Sequence, residues 1–494
     1  MKKQRHSISF FSIMILFAIL FNFVLPYNLE VSAADTKKYL SLGDSIAAGY
    51  GLKDSANERY ANLLTKDLSK RGSTYELLDF AADGMDSSDL LKLLSDASNE
   101  NLMSALQSAS VITVSVGGNN FLKPLTEVFS ESDSAANIMG GNTGIQGGMS
   151  LDPDQIDESM ITFYLNALFS PSTKEYKDLV NALDKACGQF ESDLNKIINI
   201  LTKNKSAKIV FLTVYNPYTD LKKAANFYKV AEDYFAKLNG IIKDKSNNSY
   251  IVCDIYTAFD NSTQQVVNAS LSQSNFDPHP NAAGHRLIYK SIVHSLGLSL
   301  YFDDMANDAW AVEYVDDLHE RLIIFGTNAE RREFSPKTEL KNCDLAVLLA
   351  RTLKLKTDAS DVSGVTLPFT DTAKIPDYAL NSVKACYKAG LYNALYPSGK
   401  TYAFNPEKSA QRIDVALMAV QLIDKSKWSN KKPVYTDLKD VSESYYPALS
   451  TLYDYGIMVG SPNKTLAPFD GLTRAQVAAI LWRILNNPEL TSSK

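Results

Sequence analysis

Four short segments of this chain carry side chains suited to acyl transfer. Leu40-Ser41-Leu42-Gly43-Asp44-Ser45 puts a hydroxyl at the end of an apolar run, where a strand should turn into a helix. At such a junction the hydroxyl stands on the rim of a sheet, and the first free N–H groups of the helix point toward developing negative charge. Ala81-Ala82-Asp83-Gly84 supplies a glycine whose N–H can approach a substrate oxygen with no Cβ in the way. Val116-Gly117-Gly118-Asn119-Asn120 supplies a carboxamide able to donate to an oxyanion, and Phe276-Asp277-Pro278-His279-Pro280-Asn281 an imidazole beside a carboxylate. A Gly-Asp-Ser triplet alone is ordinary turn and cap chemistry; the three other segments are what give it weight. His285, His294 and His319 sit in helical patterns without such partners and read as packing or surface residues. There is no H-E-x-x-H, paired-carboxylate glycosidase signature, phosphate-binding glycine loop or G-x-S-x-G elbow.

The elements that must bring these segments together alternate between residues 38 and 299. Short apolar runs at Tyr39–Leu42, Glu76–Phe80, Val111–Val116, Ile209–Val214 and Tyr250–Ile255 read as strands. Between them, Tyr176–Leu201 and Tyr228–Lys243 repeat apolar residues at three- and four-residue spacing and read as helices. Alternating strands and helices imply right-handed crossovers and an α/β fold with a mainly parallel sheet covered on both faces. Sites in such sheets lie beyond the carboxyl ends of the strands, where all four segments fall. Ser130–Asp154, rich in Gly, Ser, Asn and Asp, is a long loop following the Asn119 segment, either a lid or a surface insertion.

The ordered segments resemble those of the SGNH (GDSL) hydrolases, over roughly Lys38 to Ser299. The resemblance implies a three-layer flavodoxin-like domain that hydrolyses an ester, lipid or acylated saccharide, with no metal or organic cofactor. It implies Ser45 as nucleophile, His279 as general base, and an oxyanion hole formed by the N–H groups of Ser45 and Gly84 with the Asn119 side chain. Two positions depart from the family pattern: Asn120 stands where Asp is usual, and Asp277-Pro278-His279 is one residue shorter than Asp-x-x-His. The imidazole is therefore oriented either by Asp277 or by a backbone carbonyl near Phe276. A non-catalytic adhesion or assembly protein on the same fold is the reading of a different class.

After Ser299 the chain repeats itself. Phe302-Asp303-Asp304, Phe369-Thr370-Asp371 and Tyr435-Thr436-Asp437 each precede a helical stretch and a turn near Gly326, Ala394 and Gly460. Phe334-Ser335-Pro336, Phe404-Asn405-Pro406 and Leu466-Ala467-Pro468 follow, and eight residues past the first member of each triplet Asn342, Arg412 and Arg474 open another helix. A period of about sixty residues means helical units that bury their apolar faces against one another. Asp308-Ala309-Trp310-Ala311 and Leu472-Thr473-Arg474-Ala475-Gln476 give these units their similarity to S-layer homology (SLH) domains. The resemblance implies an all-α three-repeat unit binding anionic secondary cell-wall polysaccharide, with Arg412, Arg474 and Trp310 as contacts. The first repeat has Lys341-Asn342 in place of an arginine. A plain helical spacer is the alternative.

Composition fits this division. The chain has 494 residues, too many for one ordinary core. A net charge of −6 and a pI near 5.6 argue against a nucleic-acid partner. Four widely spaced cysteines (Cys187, Cys253, Cys343, Cys386) make neither a disulfide framework nor a zinc site. Lys2, Lys3 and Arg5, the apolar run Ile8–Val24 and Val31-Ser32-Ala33 form a secretory leader cleaved before Ala34, the alternative being an uncleaved anchor. The expected organisation is leader 1–33, hydrolase 34–299, and repeats 300–364, 365–430 and 431–494, secreted and attached to the wall of a Gram-positive-type bacterium.

Overall fold

Five apolar runs pair side by side as one parallel sheet in the order β2-β1-β3-β4-β5: β1 Lys37–Gly43, β2 Tyr75–Ala81, β3 Ala109–Ser115, β4 Lys208–Leu212 and β5 Ile251–Cys253. The computed structural model describes residues 36–131, 158–269, 277–396 and 401–491. The expected leader, the Ser130–Asp154 segment from residue 132 onward and Phe276 lie outside the described residues. Successive strand residues feed two separate cores, as the two-residue period of a strand requires. Leu40, Leu42, Ile112, Val114, Ile209 and Phe211 join one cluster, while Tyr39, Val111, Val210 and Leu212 join another.

Helices cover both faces. α1 (Tyr60–Ser69) lies on the Tyr39 side; α2 (Ser87–Ser95), α3 (Gly118–Glu131), α4 (Lys174–Leu201) and α5 (Ala225–Asp244) lie on the other; α6 (Ala282–Ser295) returns to the Tyr39 side. The long α4 starts where Thr173 Oγ1 accepts the Tyr176 N–H at 3.3 Å. It buries Leu179, Leu183, Cys187, Phe190, Leu194, Ile197 and Leu201, a stripe at three- and four-residue spacing. All four cysteines are buried and unpaired.

The repeats are α7 (Val312–Glu320) and α8 (Asn342–Thr352), α9 (Asp377–Lys388) and α10 (Arg412–Ala419), then α11 (Tyr446–Asp454) and α12 (Arg474–Leu485). Each opening aspartate does the same work. Asp304 accepts the N–H groups of Phe334 and Ser335, Asp371 those of Phe404 and Asn405, and Asp437 those of Leu466 and Ala467, all within 2.7–2.9 Å. The pairs of N–H groups converge because Ser335, Asn405 and Ala467 adopt left-handed φ of 58°, 51° and 51°. At the centre, Leu340 N–H donates to Leu472 C=O (2.8 Å), Leu472 N–H to Ala410 C=O (3.1 Å) and Ala410 N–H to Leu340 C=O (2.8 Å). This closed ring needs all three repeats, which share one apolar cluster.

The two parts are joined without a free linker. Buried Asp316 on α7 accepts from Ser299 Oγ, from Leu300 N–H at 2.7 Å and pairs with His294 Nε2 of α6 at 2.9 Å. Arg71, after α1, donates to Ser299 C=O at 2.6 Å.

His285 in the first turn of α6 is fully buried, accepts the Tyr60 N–H through Nδ1 at 3.4 Å and stacks on the Tyr60 ring. It is a packing residue, as its helical context suggested. Burial, with Arg59 and His279 nearby, lowers its pKa to about 3, against about 6.5 in the unfolded chain. A depressed pKa contributes stability that is complete above the unfolded value and is lost as pH falls toward the folded one. A His285→Gln variant should therefore lose its stability deficit as pH falls from 7, the gap to wild type narrowing by about 2 kcal/mol at pH 5. Chemical denaturation of both proteins across pH 5–7 checks this; a gap independent of pH contradicts it.

Candidate active site

Ser45 begins a one-turn helix, Ser45–Ala48, directly after β1. Asp44 caps that turn, its carboxylate accepting from Ile46 N–H at 3.1 Å and from Ser115 Oγ at 3.0 Å. The Asp44 N–H donates to Ser115 C=O at 3.0 Å, so the turn is fastened to the end of β3. Gly43 makes that approach feasible: its φ is +131° and a Cβ there would lie 1.9 Å from the Ser115 carbonyl oxygen. Burial pushes the Asp44 carboxyl up to about 6, against the hydrogen bonds that favour its anion. Arg59 holds the far end of the turn, Nε donating to Ala47 C=O at 2.5 Å while Nη1 and Nη2 grip both Asp79 oxygens at 2.7 Å.

His279 reaches Ser45 from the other end of the domain. Its Nε2 is 2.9 Å from Ser45 Oγ, and its Nδ1 is 2.5 Å from Asp277 Oδ1. With Nδ1–H donated to the carboxylate, Nε2 is left to accept the seryl proton. The shortened Asp-Pro-His spacing works because Oδ1 also accepts the His279 N–H at 3.1 Å, closing a local turn that aims the ring. Asn268 Nδ2 donates to the other oxygen at 2.9 Å. Burial would raise the Asp277 pKa, yet the bonds from His279 and Asn268 together hold it below the usual carboxylate value. Two further bonds fix the backbone: Tyr215 Oη to Pro278 C=O at 2.7 Å and Asn268 N–H to His279 C=O at 2.8 Å. The half-exposed Tyr50 ring sits 4.5 Å from the His279 ring.

On the opposite side, Asn119 Nδ2 donates to Met85 C=O at 3.0 Å, and Met85 follows Gly84 in a turn where Gly84 has φ +73°. The carboxamide and the glycine turn are thus tied together. Ser45, Asn119 and His279 line one cavity of about 30 Å³ with Leu122, Val214 and Phe235, and Gly84 does not line it. Asn120, the departure from the family pattern, uses both ends of its amide: Oδ1 accepts Ser87 N–H at 3.2 Å and Nδ2 donates to Ser87 Oγ at 3.0 Å. A carboxylate in its place has no donor for the second bond. Ser87 and Ser88 in turn donate to Asp193 of α4 at 3.0 and 2.7 Å, anchoring the Asn119 turn to the longest helix.

Asn268, Tyr215, Arg59 and Asp193 were not singled out by sequence. None lies in a motif; Tyr215 and Asp193 act on partners more than sixty residues away, and Asn268 and Arg59 on partners nine to twenty residues away. Tyr50 carried a faint signal in its flanking Gly49 and Gly51.

In the repeats, the residues that open the second helices bridge to the next repeat. Arg412 Nη1 donates to the carbonyls of Leu466 (2.6 Å) and Ala467 (3.2 Å), and Arg474 donates through Nε to Phe334 (2.9 Å) and Nη2 to Phe325 (2.7 Å). Asn342 does the same with Nδ2 to Phe404 and Asn405 at 3.2 and 3.1 Å. The neighbouring Lys341 pairs with Glu407. Arg412 and the half-exposed Trp310 line a common cavity of about 430 Å³, which Arg474 does not line.

The GDSL-like Lipase/Acylhydrolase family matches residues 41–287, and the S-layer homology domain matches residues 368–416 and 434–478. The chain is 27% identical to an endoglucanase of Bacillus sp. (strain KSM-635) over 38% of its own length and 19% of the relative's. It is 25% identical to a cellulosome-anchoring protein of Acetivibrio thermocellus over 32% of its length and 35% of the relative's. It therefore spans well under half of either protein. Among solved structures, a lipase from a goat rumen metagenome, Lip_vut3, aligns with 53% of this chain and 97% of its own, at 19% identity and a TM-score of 0.33.

Asp277→Asn keeps the turn but leaves the ring with a poorer acceptor and the wrong tautomer. The expected loss in kcat on an activated ester is about 10²–10⁴-fold; a variant within twofold of wild type contradicts the role of this carboxylate.

Proposed function

The chain belongs to the GDSL-like lipase/acylhydrolase family and carries S-layer homology repeats behind that domain, and from that premise we propose that it is a secreted, wall-attached hydrolase of carboxylic esters working through an acyl-serine intermediate. The alignment of Ser45 Oγ, His279 and Asp277 carries this reading. Ser45 attacks the ester carbonyl while His279 Nε2 takes its proton. The same imidazolium then protonates the leaving alcohol, and water reverses both steps to release the acid. Asp277 keeps the ring in the accepting tautomer and stabilises its charged form. The Ser45 N–H and the Asn119 amide receive the oxyanion inside the cavity, and the Gly84 N–H joins them from the turn tied to Asn119 through Met85, outside the cavity lining itself; each such donor is worth about 3–4 kcal/mol in the transition state. The repeats hold the enzyme on a cell surface, the fastened Asp316 junction keeping domain and anchor together.

Beside Ser45 and His279 the enclosed space among the described residues is small, about 30 Å³ walled by Leu122, Val214 and Phe235, and it opens to solvent; on that space we take a short acyl group, and with it an O-acetylated polysaccharide, over a long-chain lipid.

Wild type and Ser45→Ala are compared on p-nitrophenyl acetate, p-nitrophenyl dodecanoate and acetylated xylan. Wild type should prefer acetate over dodecanoate by about tenfold or more in kcat/KM, and the variant should lose about 10³-fold or more. Equal turnover by both proteins excludes Ser45 as nucleophile, preference for dodecanoate excludes the short-acyl reading, and no turnover by either favours an adhesive role.

A further inference from the structure

The Asn119 side of the site is tied to the rest of the domain by side-chain hydrogen bonds that run one way. Asn120 Nδ2 donates to Ser87 Oγ at 3.0 Å, and Ser87 Oγ donates to Asp193 Oδ2 at 3.0 Å. Ser88 Oγ donates to the same oxygen at 2.7 Å, and Gln189 Nε2, one turn earlier on α4, donates to the other at 2.8 Å. Ser87 is fully buried, Asp193 is 1% exposed and Asn120 7%. With three donors converging on it, Asp193 stands in this chain as an acceptor alone. The Ser87 hydroxyl has a single proton, and that proton is committed to Asp193.

The chain holds two turns at a fixed spacing. Ser87 lies two residues past Met85, and Asn120 is the neighbour of Asn119. Asn119 Nδ2 donates to Met85 C=O at 3.0 Å, while Met85 N–H donates to Ala82 C=O at 3.3 Å across Gly84. The turns assigned the Gly84 and Asn119 donors are therefore joined at two points, and the second point continues into α4. Lys123 of α3 also reaches Asp86 and Asp89 at 2.5 and 2.8 Å, but its side chain is 45% exposed, and such surface pairs hold position weakly. The buried chain is stiffer, because a donor that swings away from its partner there finds no water to replace it.

Resting on the ester-hydrolase reading above, we infer that Asp193 is a positioning residue for the oxyanion side of the site, the terminal acceptor that fixes Ser87, Asn120 and through them the Asn119 amide. Amide at 120 and carboxylate at 193 are a matched pair on either side of one hydroxyl. A carboxylate at both positions leaves one of them facing Ser87 Oγ without a proton between. Exchanging the two reverses the chain and satisfies it again. The carboxylate at 120 then accepts the Ser87 N–H and O–H, and the amide at 193 donates to the oxygens of Ser87 and Ser88. The carbonyl of that amide still accepts from Gln189, and the exposed Ser88 turns its own proton to water.

The test measures steady-state hydrolysis of p-nitrophenyl acetate by the full chain, with a thermal melt of every variant. Asn120→Asp and Asp193→Ala should each lower kcat about tenfold or more with KM within about twofold, the mark of an interaction realised in the transition state. The double variant Asn120→Asp/Asp193→Asn should return kcat to within about threefold of wild type. A kcat for Asp193→Ala within twofold of wild type, or a loss carried by KM alone, overturns the positioning role. A double variant no faster than Asn120→Asp overturns the pairing of the two residues. Should the single variants show no cooperative melt, the double variant still decides: folded and active it supports the pairing, unfolded or inactive it refutes it. If wild type itself leaves the ester intact, the hydrolase reading falls and this inference with it.

Discussion

A hydroxyl at the end of the first strand and an imidazole at the foot of the last helix of the domain, 234 residues apart in sequence, stand 2.9 Å from each other. Closing that distance is a constraint on the whole domain. Parallel strands all end on the same rim, so the Ser45 turn after β1, the Gly84 turn after β2 and the Asn119 turn after β3 emerge side by side. The histidine segment joins them from the other edge, held by Tyr215 after β4 and by Asn268. Each contact is a bond between loops, and the two cores beneath keep the loops from drifting.

The nucleophile turn illustrates how little freedom remains. Asp44 has its carboxylate buried between Ile46 N–H and Ser115 Oγ, where desolvation works against its own ionisation. Such a group persists only where the surrounding geometry over-determines it. Gly43 allows the two strands to meet at this point, and Arg59 braces the turn through Ala47.

Much of this was legible because burial on both faces leaves continuous apolar runs. Tyr39–Leu42 and Ile209–Val214 mark β1 and β4 to within a few residues, and the stripe from Leu179 to Leu201 marks α4. The chemistry-bearing residues were legible because each sits in a short segment of unusual composition. Their supports were not. Asp193 meets Ser87 and Ser88, and Tyr215 meets Pro278, only after the chain has folded back on itself, and single polar residues such as Asn268, in loops or helices, leave no periodic trace. Asn120 shows a subtler limit, since one amide nitrogen supplies a donor that the usual carboxylate lacks. In the repeats the period was plain, yet the spacing could not reveal that Asn342, Arg412 and Arg474 all reach for carbonyls of the next repeat, or that a ring of three backbone bonds joins them.

The pairing of Ser45 with His279 is tested most directly by covalent labelling. The full chain is treated with a fluorophosphonate, its mass measured intact and the modified peptide sequenced. One adduct per chain on Ser45 is expected, formed about 10²-fold or more slowly in a His279→Ala variant. An adduct on another residue, or wild-type labelling speed without the imidazole, would contradict the pairing on which the site is built.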